Sequence, residues 1–162
     1  EKLEFINFNH NKIFKIEGLD NLKNLQILIL DHNIIKEIEG LTNLKNLQVL
    51  RLERNHIEEI KGLEELEKLE RLDLGHNVIT EMKGLECLKN LKFLYLKENE
   101  ITVLKGLNEL RRLQGLSLGY NQISEIEEQK GLVSLRYVDL SDNNLPGKLN
   151  RKFEYEEIDI IL

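Results

Sequence analysis

The chain is 162 residues long, carries 29 acidic against 23 basic side chains for a formal net charge of −6, and is 32% charged. That balance argues against a nucleic-acid backbone as the main partner, and no run of 18 apolar residues exists to span a membrane as a helix. A single cysteine, Cys87, excludes an internal disulfide framework and favours a reducing, cytoplasmic setting.

The first residues already follow the spacing that recurs along the chain. Leu3, Ile6, Phe8, Ile13, Ile16 and Leu19 surround Asn11. Glu1 and Lys2 are too short to cover the apolar end of such a unit, and there is neither an initiator Met nor a signal peptide. Upstream sequence, or another copy stacked on the uncapped first unit by self-association, is therefore expected.

Units two to six run without a break to Ile126. A representative stretch is Leu88 to Leu107, LKNLKFLYLKENEITVLKGL, whose apolar spacing fits neither a period of 3.6 nor a period of 2 over its whole length. Phe93-Leu94-Tyr95-Leu96 alternates like a strand, and the remainder must loop back to set the next strand alongside. Asparagine recurs at Asn11, Asn33, Asn55, Asn77, Asn99, Asn121 and Asn143, in steps of 22 residues. Across the five units centred on Asn33 to Asn121, seven apolar positions per unit hold 34 apolar residues in 35 places, Gln129 being the exception. The ladder is read as structural, each amide satisfying backbone groups of adjacent coils that a tight turn would otherwise bury unpaired.

Strand side chains alternate, so residues flanking the buried leucines line the other sheet face in columns. One column reads Phe5, Ile27, Val49, Arg71, Phe93, Gly115, Tyr137; the next reads Asn7, Ile29, Arg51, Asp73, Tyr95, Ser117, Asp139. Two more run through Asn9, Asp31, Glu53, Gly75, Lys97, Gly119, Ser141 and through His10, His32, Arg54, His76, Glu98, Tyr120, Asp142. The opposite side, with pairs such as Lys45-Asn46 and Arg111-Arg112, is polar and has room only for short turns or 3₁₀ segments.

The seventh unit loses the Gly-Leu pair that closes the others, with Glu127-Glu128-Gln129-Lys130 in its place, and Asn144-Leu145-Pro146-Gly147 ends the repeats. Residues 1–147 are thus expected to form the solenoid. Residues 148–162 place Phe153, Tyr155, Ile158, Ile161 and Leu162 at spacings that predict a short helical cap.

The ladder and the leucine spacing resemble the leucine-rich repeat, LxxLxLxxN/CxL. The 22-residue unit and the closures Gly18-Leu19, Gly40-Leu41, Gly62-Leu63, Gly84-Leu85 and Gly106-Leu107 are similar to the subclass typified by the type-1 protein phosphatase regulatory subunit, an axonemal dynein light chain and the spliceosomal A-prime protein. Bacterial internalins share the length but usually carry Pro-Leu there. The resemblance implies an α/β solenoid, a curved stack with a parallel sheet on its concave face, turns or 3₁₀ segments on the convex face and a helical C-terminal cap.

No GxxxxGK[ST], HExxH or GxSxG motif occurs, and no acid pair sits in an apolar setting. His10 and His32 beside Asp31 carry suitable metal donors, but Arg54 occupies the next rung. A non-enzymatic protein with no cofactor and no metal is expected. Its candidate partner-binding residues are an aromatic patch, Phe93, Tyr95, Tyr120 and Tyr137, and an aliphatic one, Phe5, Ile27, Ile29 and Val49, separated by charges that include Arg51 and Arg71. Gly115 and Gly119 are expected to floor a trough between the aromatics. The function expected is a protein-interaction scaffold; the alternatives are the repeat segment of a larger, GTPase-linked signalling protein and an internalin-like surface adhesin.

Overall fold

A computed structural model describes residues 2–146 and 158–162. Each unit contributes one three-residue strand. These are β1 (Phe5–Asn7), β2 (Ile27–Ile29), β3 (Val49–Arg51), β4 (Arg71–Asp73), β5 (Phe93–Tyr95), β7 (Gly115–Ser117) and β9 (Tyr137–Asp139). All pair in parallel, with partners such as Leu28 and Leu50, or Leu50 and Leu72, one repeat length apart. Two-residue strands β6 (Val103–Leu104) and β8 (Glu125–Ile126) form a second small sheet on the return path.

The core is the inner lining of this coil. In the unit around Asn77, Leu66, Leu69, Leu72, Leu74, Ile79, Met82 and Leu85 are all essentially inaccessible. Parallel strands buried on one face and stacked in register bring equivalent leucines together coil after coil, which is why the chain needs no long helix to cover its sheet. The return path instead runs through successive tight turns, with Leu44 N–H donating to Leu41 O and Leu47 N–H to Leu44 O, both at 2.9 Å. Among the described residues there is no helix and no 3₁₀ segment, so apart from β6 and β8 the return path is built of turns and irregular backbone. Among the described residues the α/β expectation meets only strands and turns, wound into a parallel-strand coil.

Each strand ends in a sharp reversal at the residue before the ladder asparagine. His10, His32, Arg54, His76, Glu98, Tyr120 and Asp142 all adopt φ between 53° and 56°. Left-handed backbone is costly for side chains with a Cβ, and the asparagine that follows stabilises the turn. Asn77 is representative: its Oδ1 accepts from Ile57 N–H at 3.0 Å, and its Nδ2 donates to Leu52 O and Leu74 O, both at 3.0 Å. The same three bonds recur at Asn33, Asn55, Asn99, Asn121 and Asn143. Among the described residues Asn11 bonds only Phe8 O and Asn9 O.

The closing glycines also have a stereochemical reason. Gly62 has φ +71°, and a Cβ there would lie 2.3 Å from Ile38 O of the preceding coil. Where Gly-Leu lapses, Gln129 enters the core instead. It is buried, and its Nε2 donates to Glu127 O at 3.0 Å and Leu104 O at 3.4 Å.

At the far end a strand stands within the residues expected to form the helical cap. Asp159–Ile161 is strand β10, parallel to β9, with Ile160 opposite Val138. Tyr137 to Asp159 is one further 22-residue step, so the repeat frame persists beyond Pro146. Ile160 and Leu162 stand where Val138 and Leu140 stand one coil earlier, and that alternation supports a strand. Phe153, Tyr155 and the rest of 147–157 lie outside the described residues. At the other end β1 pairs only with β2, and Leu3, Phe8 and Phe14 are exposed.

Candidate interaction surface

The outer sheet face carries the candidate residues, and the strand register decides which of them meet. Phe5, Ile27 and Val49 are partners on adjacent strands, so the aliphatic patch is continuous, with Phe5 the most open at 51% exposure. Ile27, Ile29 and Val49 are half-buried among their neighbours.

A charged belt follows. Arg51 Nη2 lies 2.6 Å from Asp31 Oδ2 and 3.4 Å from Glu53 Oε2. His76 Nδ1 lies 2.8 Å from Glu98 Oε2, while its Nε2 faces Arg54 Nη2 at 3.4 Å. The same Nε2 also lies 3.6 Å from Glu53 Oε1.

Two carboxylates of this belt are buried rather than solvated, which the column reading missed. Asp31 is 1% exposed; its Oδ1 accepts from Glu53 N–H of the next coil at 2.9 Å, just as Asn9 Oδ1 accepts from Asp31 N–H at 2.8 Å. Asp73 Oδ1 accepts from Gly75 N–H at 3.3 Å. Burial raises both carboxyls above their ordinary value, against the opposing pull of those N–H groups and of Arg51. The signal was present in sequence: Asn and Asp at these positions are short acceptors suited to capping backbone N–H groups.

The aromatic group is arranged differently from the expected trough. Phe93 leans across Gly115, where an added Cβ would meet its Cδ1 at 3.0 Å, so the gap left by the glycine is filled by the ring. Gly119 is covered by the side chains of Asp139 and Ser141, 2.9–3.2 Å from where its Cβ would stand. The result is a raised aromatic surface. Arg71 lies over the Tyr95 ring at 4.5 Å and Lys97 over the Tyr120 ring at 4.9 Å. Phe93, Tyr120 and Tyr137 are 38%, 52% and 39% exposed. Tyr120 sits on the left-handed turn rather than on a strand, and its hydroxyl bonds Asp142, which pushes its pKa up.

The remaining candidates for chemistry are engaged structurally. His10 and His32 stack face to face with centroids 4.1 Å apart, and among the described residues no group of three metal-ligating side chains converges. Cys87 is half-buried with Sγ 3.6 Å from Leu63 O, and burial raises its pKa, opposite to what a nucleophilic thiolate needs.

The profile of Leucine Rich repeats (2 copies) matches residues 23–65 and 111–152, and that of Leucine rich repeat matches residues 45–101. No curated protein matches the sequence significantly. Among solved structures, an internalin (inlF) from Listeria monocytogenes is 28% identical with a TM-score of 0.86, over 98% of this chain and 47% of the internalin. Internalin C2 of the same organism gives 26% and 0.76, over 96% of this chain and 80% of that one. The structure of TLR13 in complex with ssRNA13 gives 25% and 0.69, over 91% and 26%. The chain thus spans about half the length of the first internalin. The 22-residue frame, the asparagine ladder and these profile matches agree, and the chain belongs to the leucine-rich repeat family.

Proposed function

We propose that this chain is a non-enzymatic scaffold that binds a partner protein on the concave, sheet-bearing face. The observation that carries the reading is the exposure of Phe5, Phe93, Tyr120 and Tyr137 on the side of the sheet away from the leucine core. Exposed aromatics bordered by charge are the usual anchors of protein interfaces. The net charge of −6 disfavours an RNA ligand of the kind named for TLR13.

The Gly-Leu closures support the subclass of the phosphatase regulatory subunit and dynein light chain, and with the lone cysteine they support a cytoplasmic site of action. A second reading, an internalin-like adhesin, is favoured by the fold match over 98% of the chain. A third, a repeat segment within a larger signalling protein, is compatible with the chain spanning 47% of that internalin.

Capture from cytosolic extract and from solubilised surface proteins, each with Tyr95→Ala and Tyr137→Ala as controls, separates these readings. Loss of either aromatic anchor should weaken binding about thirtyfold, from roughly 2 kcal/mol per anchor. Glu98→Ala should chiefly change the salt dependence of association. A partner held equally by the parent and both tyrosine variants would place the contact elsewhere, with Ile27, Ile29 and Val49 next to be tested.

A further inference from the structure

The sheet face repeats one arrangement twice within itself. Tyr95 of β5 has the guanidinium of Arg71, from the preceding coil, over its ring. Tyr120 has the ammonium of Lys97, again from the preceding coil, over its ring. The next tyrosine, Tyr137 on β9, has no such cation among the described residues. The preceding coil offers Gly115 beside it and Ser117 in the neighbouring column, both uncharged.

What surrounds Tyr137 is negative instead. Asp139 lies two residues along the same strand, on the same face. Its Oδ1 is held by Ser141, through N–H at 3.0 Å and Oγ–H at 2.6 Å, while its Oδ2 carries no hydrogen bond among the described residues. Gly119 leaves room for that oxygen, which stands 3.0 Å from the position a Cβ would take. On the other side β10 places Asp159 directly opposite Tyr137 in the sheet register. Burial and the Asp139 charge both raise the Tyr137 pKa, as expected for a ring in a negative field.

We propose that Tyr137, Asp139 and Asp159 form a subsite for an arginine side chain presented by the partner protein. The guanidinium takes over Tyr137 the place that Arg71 takes over Tyr95, and the carboxylate of Asp139 supplies the charge-assisted acceptor. A flat guanidinium meets both demands at once, because it stacks on a ring by its face and donates to a carboxylate by its edge. The inference rests on the concave-face reading and adds to it the chemistry of one contact.

The test uses the whole chain and two small probes at low ionic strength. N-acetyl-arginine amide is titrated against its neutral isostere, N-acetyl-citrulline amide, while NMR follows the ring resonances of the four tyrosines. The expected result is a saturable shift confined to Tyr137, given by arginine and absent with citrulline. Asp139→Asn keeps an acceptor for Ser141 and should therefore fold; it should raise the half-saturation concentration about fivefold. Equal responses to the two probes, shifts spread over all four rings, or an unchanged titration in Asp139→Asn would each overturn the assignment. Partner capture tells this failure from that of the wider reading. Capture lost in Tyr95→Ala but intact in Asp139→Asn and Asp159→Asn removes the subsite alone, whereas capture unaffected by any of these changes removes the whole aromatic patch as the contact and leaves the aliphatic patch at Ile27, Ile29 and Val49.

Discussion

Replacing Asn77 by alanine isolates what one rung of the ladder contributes. Four backbone groups lean on this amide, but not equally; one of them, Gly75 O at 3.1 Å, also keeps Arg54 N–H at 2.9 Å. Leu52 O also accepts from Asn55 Nδ2 at 3.1 Å, and Leu74 O also accepts from Asn99 Nδ2 at 3.0 Å, so each carbonyl keeps a second donor. Ile57 N–H bonds Asn77 Oδ1 at 3.0 Å and is left buried without a partner in the variant. An orphaned buried N–H costs about 1–3 kcal/mol, and losing one of two bonds at each carbonyl adds roughly half a kcal/mol apiece. The expected total is about 2–4 kcal/mol. With a urea slope of about 2 kcal/mol per molar, the midpoint should fall by about 1–2 M. Asn11→Ala is the matched control, since no N–H depends on its Oδ1 and Phe8 O keeps Asn33 Nδ2 at 3.0 Å. Asn46→Ala, partly buried and bonded to Lys23 O at 2.8 Å and to Lys68 Nζ at 2.7 Å, is the convex one. Both should cost less than about 0.5 kcal/mol. If the Asn77→Ala midpoint coincides with those of the two controls, the reasoning about the ladder fails.

Gly62→Ala should destabilise by about 3 kcal/mol or more, combining left-handed strain of about 1–2 kcal/mol with a collision against Ile38 O. Gly18→Ala, at φ +75° with nothing within 4 Å, should cost only the strain; equal losses in thermal melts would remove the steric explanation. Asp73 is raised above its ordinary 3.8 by burial, so the folded state holds the proton more tightly than the unfolded state. Stability relative to Asp73→Asn should therefore be greatest below pH 3.8 and should fall as pH climbs through the raised folded value; a difference between the two urea midpoints that does not change from acid to neutral pH contradicts this. Amide exchange should be faster over residues 3–16 than over 90–104, because Leu3, Phe8 and Phe14 are exposed where Leu91, Leu94 and Leu96 are sealed; equal protection would contradict this.

The core and the ladder were legible because each buried slot accepts one chemical type, repeated at a fixed interval. Leu28, Leu50, Leu72 and Leu94 occupy one slot, and no other arrangement of the chain aligns them. The site was legible as a set of columns but not as a surface. Asp31 and Asp73 read as outward-facing charges, yet a short acceptor beside a bare N–H is drawn inward, a choice that local geometry makes and spacing does not record. The trough predicted over Gly115 closed because Phe93 found more contact by leaning across the gap than by standing clear of it. Strand β10 was hidden by Pro146 and the charged run after it, which mask one more step of the frame. The left-handed turn left no mark either, since His, Arg, Glu, Tyr and Asp all occupy it.

The bonds joining neighbouring coils name no particular coil. Ile35 N–H donates to Asn55 Oδ1, Ile57 N–H to Asn77 Oδ1 and Ile79 N–H to Asn99 Oδ1, each pair 20 positions apart and each at 3.0 Å. A gene that gained or lost 66 nucleotides anywhere between the codons for Asn33 and Asn121 would therefore encode a chain in which every junction still closes with its proper donors and acceptors. Length in this architecture can change by whole coils without an ill-formed intermediate, while changes of one or two codons misplace every following asparagine. The spacing between the aliphatic and aromatic patches is thus adjustable in units of one strand separation, about 4.8 Å, and reach toward a partner can be altered without redesigning either patch.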